Sequence, residues 1–382
     1  MCMEDMDDVA VMLRDAAVGF IEGRYDASLL QENSLKPRPV DRKLWNEMAD
    51  IGWLGLCLPE SVGGSGLGLQ GATVLAEVFG RTLFSPHFAG AVCMPSEILR
   101  AGLDAGGESA CESLASLVIG GERLLALAWQ EQAGQMQAGD AATVLRNGRV
   151  SGKKIFVPAV ENDSILLVTV STPEGPAVVA VACDADGVTV EQAAAGLGSI
   201  ATVTFNEAPL WQEQPVLQGP AASAAVRNAL AAGRIVLSAQ LAGLASGCLE
   251  KNIRYVNERI QFGRAIGSFQ TIQHRCVDLH IDTLLAGSSW RNALRLWETR
   301  PDDPATEAAI SAAKARCGDA AMKVARQSVQ MHGAMGFAEE VDVGFYLRAA
   351  MHAASYLGNA LQHRRLFADP RLMTTKLEES HA

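Results

Sequence analysis

The chain has 382 residues, more than one small domain needs and enough for two or three. A hydrophobic fraction of 49% supports a large buried core. The net charge of −11 excludes nucleic acid or an anionic membrane as the main partner, since both demand a basic face, and leaves room only for a local basic phosphate pocket.

The eight cysteines (Cys2, Cys57, Cys93, Cys111, Cys183, Cys248, Cys276 and Cys317) are scattered and form no CxxC pair. The seven histidines add no metal-ligand spacing, so no metal site is expected. Buried free thiols in a reducing cytoplasm fit this pattern. The N-terminal "MCMEDMDDVAVMLRDAA" is acidic and amphipathic, unlike a signal peptide. No uninterrupted apolar run reaches the roughly 18 residues of a membrane span. A soluble, cytoplasmic protein is expected.

Residues 1–123 read as helical. In "DRKLWNEMADIGWLGLCLPE", Leu44, Met48 and Ile51 fall at helical spacing and Gly52 supplies a stop. The "GGSG" at 63–66 lacks GxGxxG spacing and follows no strand, which makes it a simple loop. Residues 124–216 change period. "ATVLRNGRVSG" is a hairpin, with Asn147-Gly148 as a type I′ signal. "SILLVTVS", "AVVAVACD", "GVTVEQ" and "ATVTFNEAPL" follow at short spacing and predict a small antiparallel β domain, a barrel or sandwich. Residues 217–382 return to helix. Leu230, Leu237, Leu241, Leu244 and Cys248 mark one apolar stripe, and Ile310, Ala313, Ala320 and Val324 another. Four long antiparallel helices are the natural packing. The fold class is α+β: an N-terminal helical domain, a middle β domain and a C-terminal four-helix bundle.

The order helical–β–helical comes with three ordered segments: "WNEMADIGWLGLCLPESVGGSGLG", "RIQFGRAIGSFQTIQH" and "QMHGAMGFAEEVDVGFYLRAA". Together they make the chain resemble the acyl-CoA dehydrogenase family over nearly its whole length. Through "LALAWQEQAG", "RYD" near residue 25 and the C-terminal "HRRLFAD", it most resembles the bacterial pimeloyl-CoA dehydrogenase small subunits. The resemblance implies FAD between the β domain and the C-terminal bundle, with its pyrophosphate and adenosine held by the neighbouring subunit's bundle. Arg259 then pairs with the pyrophosphate, a forked cation against phosphate oxygens. Gly263, beside Phe262, lets backbone approach closely, while Phe269 and Gln270 match adenine-pocket positions. Gln330, Gly333, Ala334 and Gly336 match a second adenosine-side segment. Read alone, Arg259 is as well a solvated helix charge. Arg234 interrupts the Leu230–Leu237–Leu241 stripe. It either snorkels or matches a family arginine at the acyl-CoA end of its helix.

The chain departs from the family where the chemistry sits. The resemblance implies α,β-dehydrogenation of an acyl-CoA thioester, with a glutamate taking the α-proton while the flavin accepts the β-hydride. One family position for this base corresponds to Leu357 in "SYLGNA", the other to Gly233, and neither residue takes a proton. The family's Thr-Glu-Pro loop at the flavin ring corresponds to "AWQEQAGQ". Its Trp-Ile-Thr corresponds to Phe156, Val157 and Pro158, and proline has neither hydroxyl nor backbone donor. Gln130 or Gln135 is the alternative source of flavin hydrogen bonds. The expected function is a dehydrogenase subunit that completes the FAD site of a partner, as in relatives of two unlike subunits in an α2β2 assembly. An electron-transfer flavoprotein is a further partner to consider. A homo-oligomeric dehydrogenase with an unconventional base, a flavin monooxygenase of the same fold, and a scaffold without activity remain alternatives.

Overall fold

The computed structural model describes residues 3–24, 30, 36–84, 86–106, 108–139, 141–337 and 341–368. Tyr25 and Asp26 of "RYD", Asp369, and residues 338–340 of the C-terminal segment lie outside the described residues. The chain divides into two compact units. One is made of Met1–Ser34, Thr73–Phe84 and Arg234–Ala382, the other of Leu35–Ala72 and Ser85–Gly233.

In chain order the helices are α1 (Met3–Arg24), α2 (Arg42–Asp50), α3 (Gly68–Thr82), α4 (Met94–Asp104), α5 (Glu108–Ile119), α6 (Gly219–Glu258), α7 (Gln270–Thr299), α8 (Pro304–His332), α9 (Val343–Ser355) and α10 (Ala360–Phe367). The strands are β1 (Leu125–Ala128), β2 (Val144–Arg146), β3 (Arg149–Pro158), β4 (Ile165–Thr172), β5 (Gly175–Ala182), β6 (Val188–Ala195), β7 (Gly198–Pro209), β8 (Leu217–Gln218), β9 (Ile260–Gln261) and β10 (Arg264–Ala265).

The second unit is built on one eight-stranded sheet. Its order is β6-β7-β3-β2-β4-β5-β8, with β1 also on β4. Asn147 and Gly148 have φ of 50° and 72°, the two left-handed residues a type I′ hairpin between β2 and β3 needs. The expected all-antiparallel sheet is corrected at one strand: β4 pairs in parallel with β1 and, through Val144 and Ser171, with β2. The physical reason is that β1 enters from a helical segment and reaches β4 by a long crossover, where a hairpin would have reversed it. The central strands β4 and β5 are nearly continuous apolar runs, while β6 at one end is mostly exposed. The sheet core gathers Val168, Val170, Val179, Val181, Val203 and Phe205.

In α2 the Asp41 carboxylate accepts from the backbone N–H of Lys43 and Leu44, at 3.0 and 3.1 Å. Leu44, Trp45 and Met48 are buried, but Ile51 is 48% exposed. The helix ends at Asp50 and Gly52 turns the chain at φ 80°, so Trp45 takes the core place expected of Ile51. The GGSG stretch is a closed loop: Gly64 N–H donates to the Pro59 carbonyl and Gly66 N–H to that of Leu58, which leaves no open cradle there.

The first unit is the helical bundle. Leu237, Leu241, Leu244 and Cys248 on α6, and Ile310, Ala313, Ala320 and Val324 on α8, are all buried as their spacing predicts. The Thr73–Thr82 part of α3 lies against α6 so closely that a Cβ at Gly243 would strike the Glu77 carbonyl and one at Gly80 the Gln240 carbonyl. α6 runs for 40 residues and contains an 18-residue window apolar enough to cross a membrane, yet 83% of that window is buried in the protein itself, as in a core helix. Of the described cysteines, all are free thiols and only Cys276 is not fully buried.

Candidate functional site

The residues singled out from sequence fall into separate groups. The first is an arm that follows α6. Arg259 ends the helix, its N–H donating to the Tyr255 carbonyl at 2.8 Å. β9 and β10 then form a minimal hairpin around Phe262 and Gly263, with φ of 53° and 80°. Both central residues are left-handed, as a type I′ turn demands. Gly263 therefore serves the turn; nothing lies within 4 Å of where its Cβ would be. Within the chain a close approach occurs at Gly267, whose Cβ would sit 2.7 Å from Asn257 Oδ1 and 3.0 Å from the Val256 carbonyl.

The arm's chemical groups point outward. Arg259 and Gln270 are exposed, and Phe262 is 91% exposed, a placement that costs apolar hydration unless something covers it. Phe262 meets Phe269 edge to face, with centroids 6.2 Å apart. The Arg264 guanidinium lies 4.1 Å over the Phe269 ring. Arg254, Arg259, Arg264 and Arg275 form a basic stretch on an otherwise acidic chain, all of them exposed.

The second adenosine-side segment is fastened to the base of this arm. Tyr255 stacks on His332 at 3.8 Å, and its hydroxyl donates to the His332 carbonyl at 3.3 Å. His332 Nδ1 lies 2.8 Å from the Ser328 carbonyl. Burial lowers the His332 pKa, so the ring is a neutral packing partner. Gln330, Gly333 and Ala334 are exposed just beyond, while Gly336 is buried where a Cβ would strike the Val329 carbonyl.

The second group surrounds the positions where the family places its base. Arg234 is 6% exposed, so it does not snorkel. Its Nε donates to the Leu357 carbonyl at 3.4 Å. Burial pulls its pKa down to about 10, against the raising influence of Glu307. Leu357 is buried and has φ 57°, strained for a residue with a side chain. Its carbonyl also lies 3.0 Å from His363 Nε2. Lys314, 1% exposed, donates to the carbonyls of Ala353, Ala354 and Gly358 at 3.0, 3.1 and 3.0 Å. The lysine thus caps the last turn of α9 and holds the turn that follows it.

None of the buried groups Lys314, His363 and His352 presents a base suited to proton abstraction near neutrality. Burial and the Arg234 guanidinium pull the Lys314 ammonium towards neutrality, but three carbonyl acceptors consume its protons and no lone pair is presented. His363 is wholly buried between the Leu357 carbonyl and the Ser311 hydroxyl. Burial, then Lys314 and Arg234, take its pKa to about 3. His352, stacked on Tyr356, is brought to about 4 by burial and Lys314, too weak for proton abstraction near neutrality.

The third group is the ring-side loop of the β unit. The Glu131 carboxylate accepts from Ala142 N–H, Thr143 N–H, the Thr143 hydroxyl and the wholly buried Lys154, at 2.7, 2.9, 2.7 and 2.7 Å. Burial alone would raise the Glu131 pKa; the Lys154, Thr143 and Ala142 donors outweigh it and bring the group to about 2. Burial takes Lys154 to about 8 despite its partner. Glu131 is thus a clamp, its Oε1 taken by three donors and its Oε2 by one. Gln135 Oε1 accepts from the N–H of Glu131 and of Gln132, at 2.8 and 3.3 Å. Opposite, β3 breaks register between Lys154 and Val157, and Phe156 has φ 55°.

FAD fits the arm and not the ring-side loop. The arm offers an exposed guanidinium and an aromatic pair, Phe262 exposed and Phe269 half-buried. Two of the loop's backbone donors, the N–H groups of Glu131 and Gln132, are already taken by Gln135, and Pro158 adds none. Sequence reasoning missed Lys314, His363 and the Glu131–Lys154 clamp. Lys314 was open to discovery: it lies four residues after Ile310 and three before Cys317, on the same kind of apolar face that exposed Arg234 as an anomaly.

Comparison with known proteins agrees with this architecture. The family model for the acyl-CoA dehydrogenase N-terminal domain matches residues 7–116, and that for the acyl-CoA dehydrogenase C-terminal domain matches 223–370. Acyl-CoA dehydrogenase FadE27 of Mycobacterium tuberculosis is 29% identical over 335 residues, covering 85% of this chain and 87% of that protein. Benzylmalonyl-CoA dehydrogenase of Aromatoleum aromaticum is 28% identical over 369 residues, covering 90% and 93%. The solved structure of a variant of the Tcur3481-Tcur3483 steroid ACAD superposes with a TM-score of 0.84 at 26% identity, covering 98% of this chain and 99% of that one. With both domain models in order along more than half of the sequence and the fold shared end to end, the chain belongs to the acyl-CoA dehydrogenase family of FAD-dependent oxidoreductases.

Proposed function

We propose that this chain is one subunit of a two-component acyl-CoA dehydrogenase, of the kind represented by the pimeloyl-CoA dehydrogenase small subunits. It extends its arm to an FAD held with a partner subunit, and the partner supplies the base. The observation that carries this reading is the Leu357 turn. It is built and buried as a catalytic turn would be, pinned by Arg234, His363 and Lys314, yet it presents a leucine. The two-part name of the Tcur3481-Tcur3483 relative supports a paired assembly.

In this reading FAD, when bound, would supply the acceptor for the β-hydride of the acyl thioester, and a carboxylate of the partner would take the α-proton. The work of this chain is binding and orientation. Arg259 holds the pyrophosphate through a charge-assisted contact. Phe269, backed by Arg264, and Gln270 define the adenine end, with Gln330 to Gly336 beside them. Arg234 and Lys314 fix the Leu357 turn, which closes the chain's own proton-transfer position with an apolar side chain.

The test is to purify the chain alone and together with an acyl-CoA dehydrogenase-like subunit encoded beside it. Each preparation is assayed for FAD absorbance and for oxidation of acyl-CoA of several chain lengths with an artificial electron acceptor. The chain alone is expected to be inactive and the pair active. Turnover by the single chain in the ordinary enzymatic range of about 1–10³ s⁻¹ would refute the reading. Oxygen uptake with an external flavin reductase, in place of dehydrogenation, would assign the chain to the monooxygenase alternative.

A further inference from the structure

We infer that the ring-side loop of this chain is occupied by its own Gln135, so that no flavin ring is held there. The inference rests on the two-subunit reading and gives it a physical cause.

A flavin's pyrimidine edge is a row of imide groups, carbonyl acceptors beside an N–H donor. The carboxamide of a glutamine offers the same two kinds of group on one short planar edge. In this loop Gln135 Oε1 takes the N–H groups of Glu131 and Gln132, at 2.8 and 3.3 Å. Its Nε2 donates to the Gln137 carbonyl at 3.2 Å. The neighbouring Gln130 amide donates to the Gln132 carbonyl at 3.0 Å. Both glutamines that could have substituted for the altered flavin contacts thus make bonds within the loop. Two adjacent backbone donors that a ligand edge would need already have their acceptor.

The loop is also held in place. Residues either side of the Gln135 acceptor are fixed by the Glu131 clamp on Lys154 and Thr143. The facing strand is tied to it, since Ile155 N–H donates to the Gln130 carbonyl at 2.8 Å. Beyond that bond, β3 offers Phe156 in a left-handed conformation, 39% exposed, and then Pro158 without an N–H. Opening the loop for a ring would break two hydrogen bonds to Gln135 and gain no donor from Pro158 on the opposite side.

The experiment uses the two-subunit complex and a readout independent of turnover, the FAD released per chain. One FAD per pair of unlike chains is expected, and removal of the Gln135 amide (Gln135→Ala) is expected to leave that content unchanged in a complex whose circular dichroism matches the parent. Two FAD per pair in the parent complex would overturn the inference, and so would loss of FAD in the variant, since Gln135 would then be a flavin ligand. The two-subunit reading fails differently, by full activity and one FAD per chain in the protein without its partner.

Discussion

Arg234 Nε lies 3.4 Å from the Leu357 carbonyl, so one chain position where the family carries its base, 357, is hydrogen-bonded to the residue that directly follows the other, 233. Gly233 precedes Arg234 on α6, and Leu357 follows α9. The two positions are thus joined by one hydrogen bond within the bundle.

The Leu357 turn depends on Lys314. Lys314→Met keeps the length of the side chain and leaves the carbonyls of Ala353, Ala354 and Gly358 without their donor. Unsatisfied buried acceptors cost roughly 1–3 kcal/mol each, and relief from burying a charge offsets part of the sum. A net loss of about 3 kcal/mol is expected on the same scale, read as a lower urea midpoint. An unchanged midpoint would show that water reaches these carbonyls.

A carboxylate placed on the turn should be a poor base. Leu357→Glu puts it on the turn whose carbonyls Arg234 and Lys314 bind, and nearby positive charge favours the ionised form. Its pKa is expected below the ordinary glutamate value of about 4.3, by carbon-detected NMR titration. The variant alone is therefore expected to stay far below normal turnover. A pKa well above that value would show that burial outweighs the cations.

Much of this was legible in the sequence, and the residues show why. Periods of 3.6 and 2 located the helical and β segments because burial enforces them, as at Leu241 or Val179. Arg259 and Phe269 stood out through a motif, and the structure places both on the arm that follows α6. The Glu131–Lys154 clamp was not, because its partners are 23 residues apart and meet only through strand pairing. The parallel pairing of β1 with β4 was hidden for the same reason: apolar runs declare burial but not direction. Gly263 was legible as a special backbone position, yet its role in a hairpin turn depends on β9 and β10 pairing across it.

The clamp gives the protein an acid-sensitive element. The Glu131 pKa is about 2 in the folded chain against an ordinary 4.5. A depressed carboxyl pKa contributes stability above the unfolded value, and this is lost as pH falls from 4.5 towards 2. A shift of this size corresponds to about 3 kcal/mol at full strength, which solvent screening at a partly exposed carboxylate reduces to about 1–2 kcal/mol. Thermal melting between about pH 5 and 2 should show the loss, and Glu131→Gln should melt lower at neutral pH with a flatter acid limb. An identical acid slope in the variant would place the sensitivity elsewhere.

Arg259 supplies the sharpest test of the arm. It is exposed at the end of α6, and no carboxylate among the described residues is paired with it. Its removal therefore breaks nothing inside the chain, and Arg259→Ala should leave the fold and melting temperature of the isolated chain unchanged. In the two-subunit complex the same change removes a charge-assisted contact to the pyrophosphate, worth about 1.5–3 kcal/mol. FAD affinity, measured by fluorescence of the apo-complex titrated with FAD, is expected to fall by roughly 10- to 150-fold. Arg259→Lys should recover only part of it, because an ammonium keeps the charge but not the fork. Unchanged FAD affinity in the complex would reduce Arg259 to a solvated surface charge and remove the arm from the site.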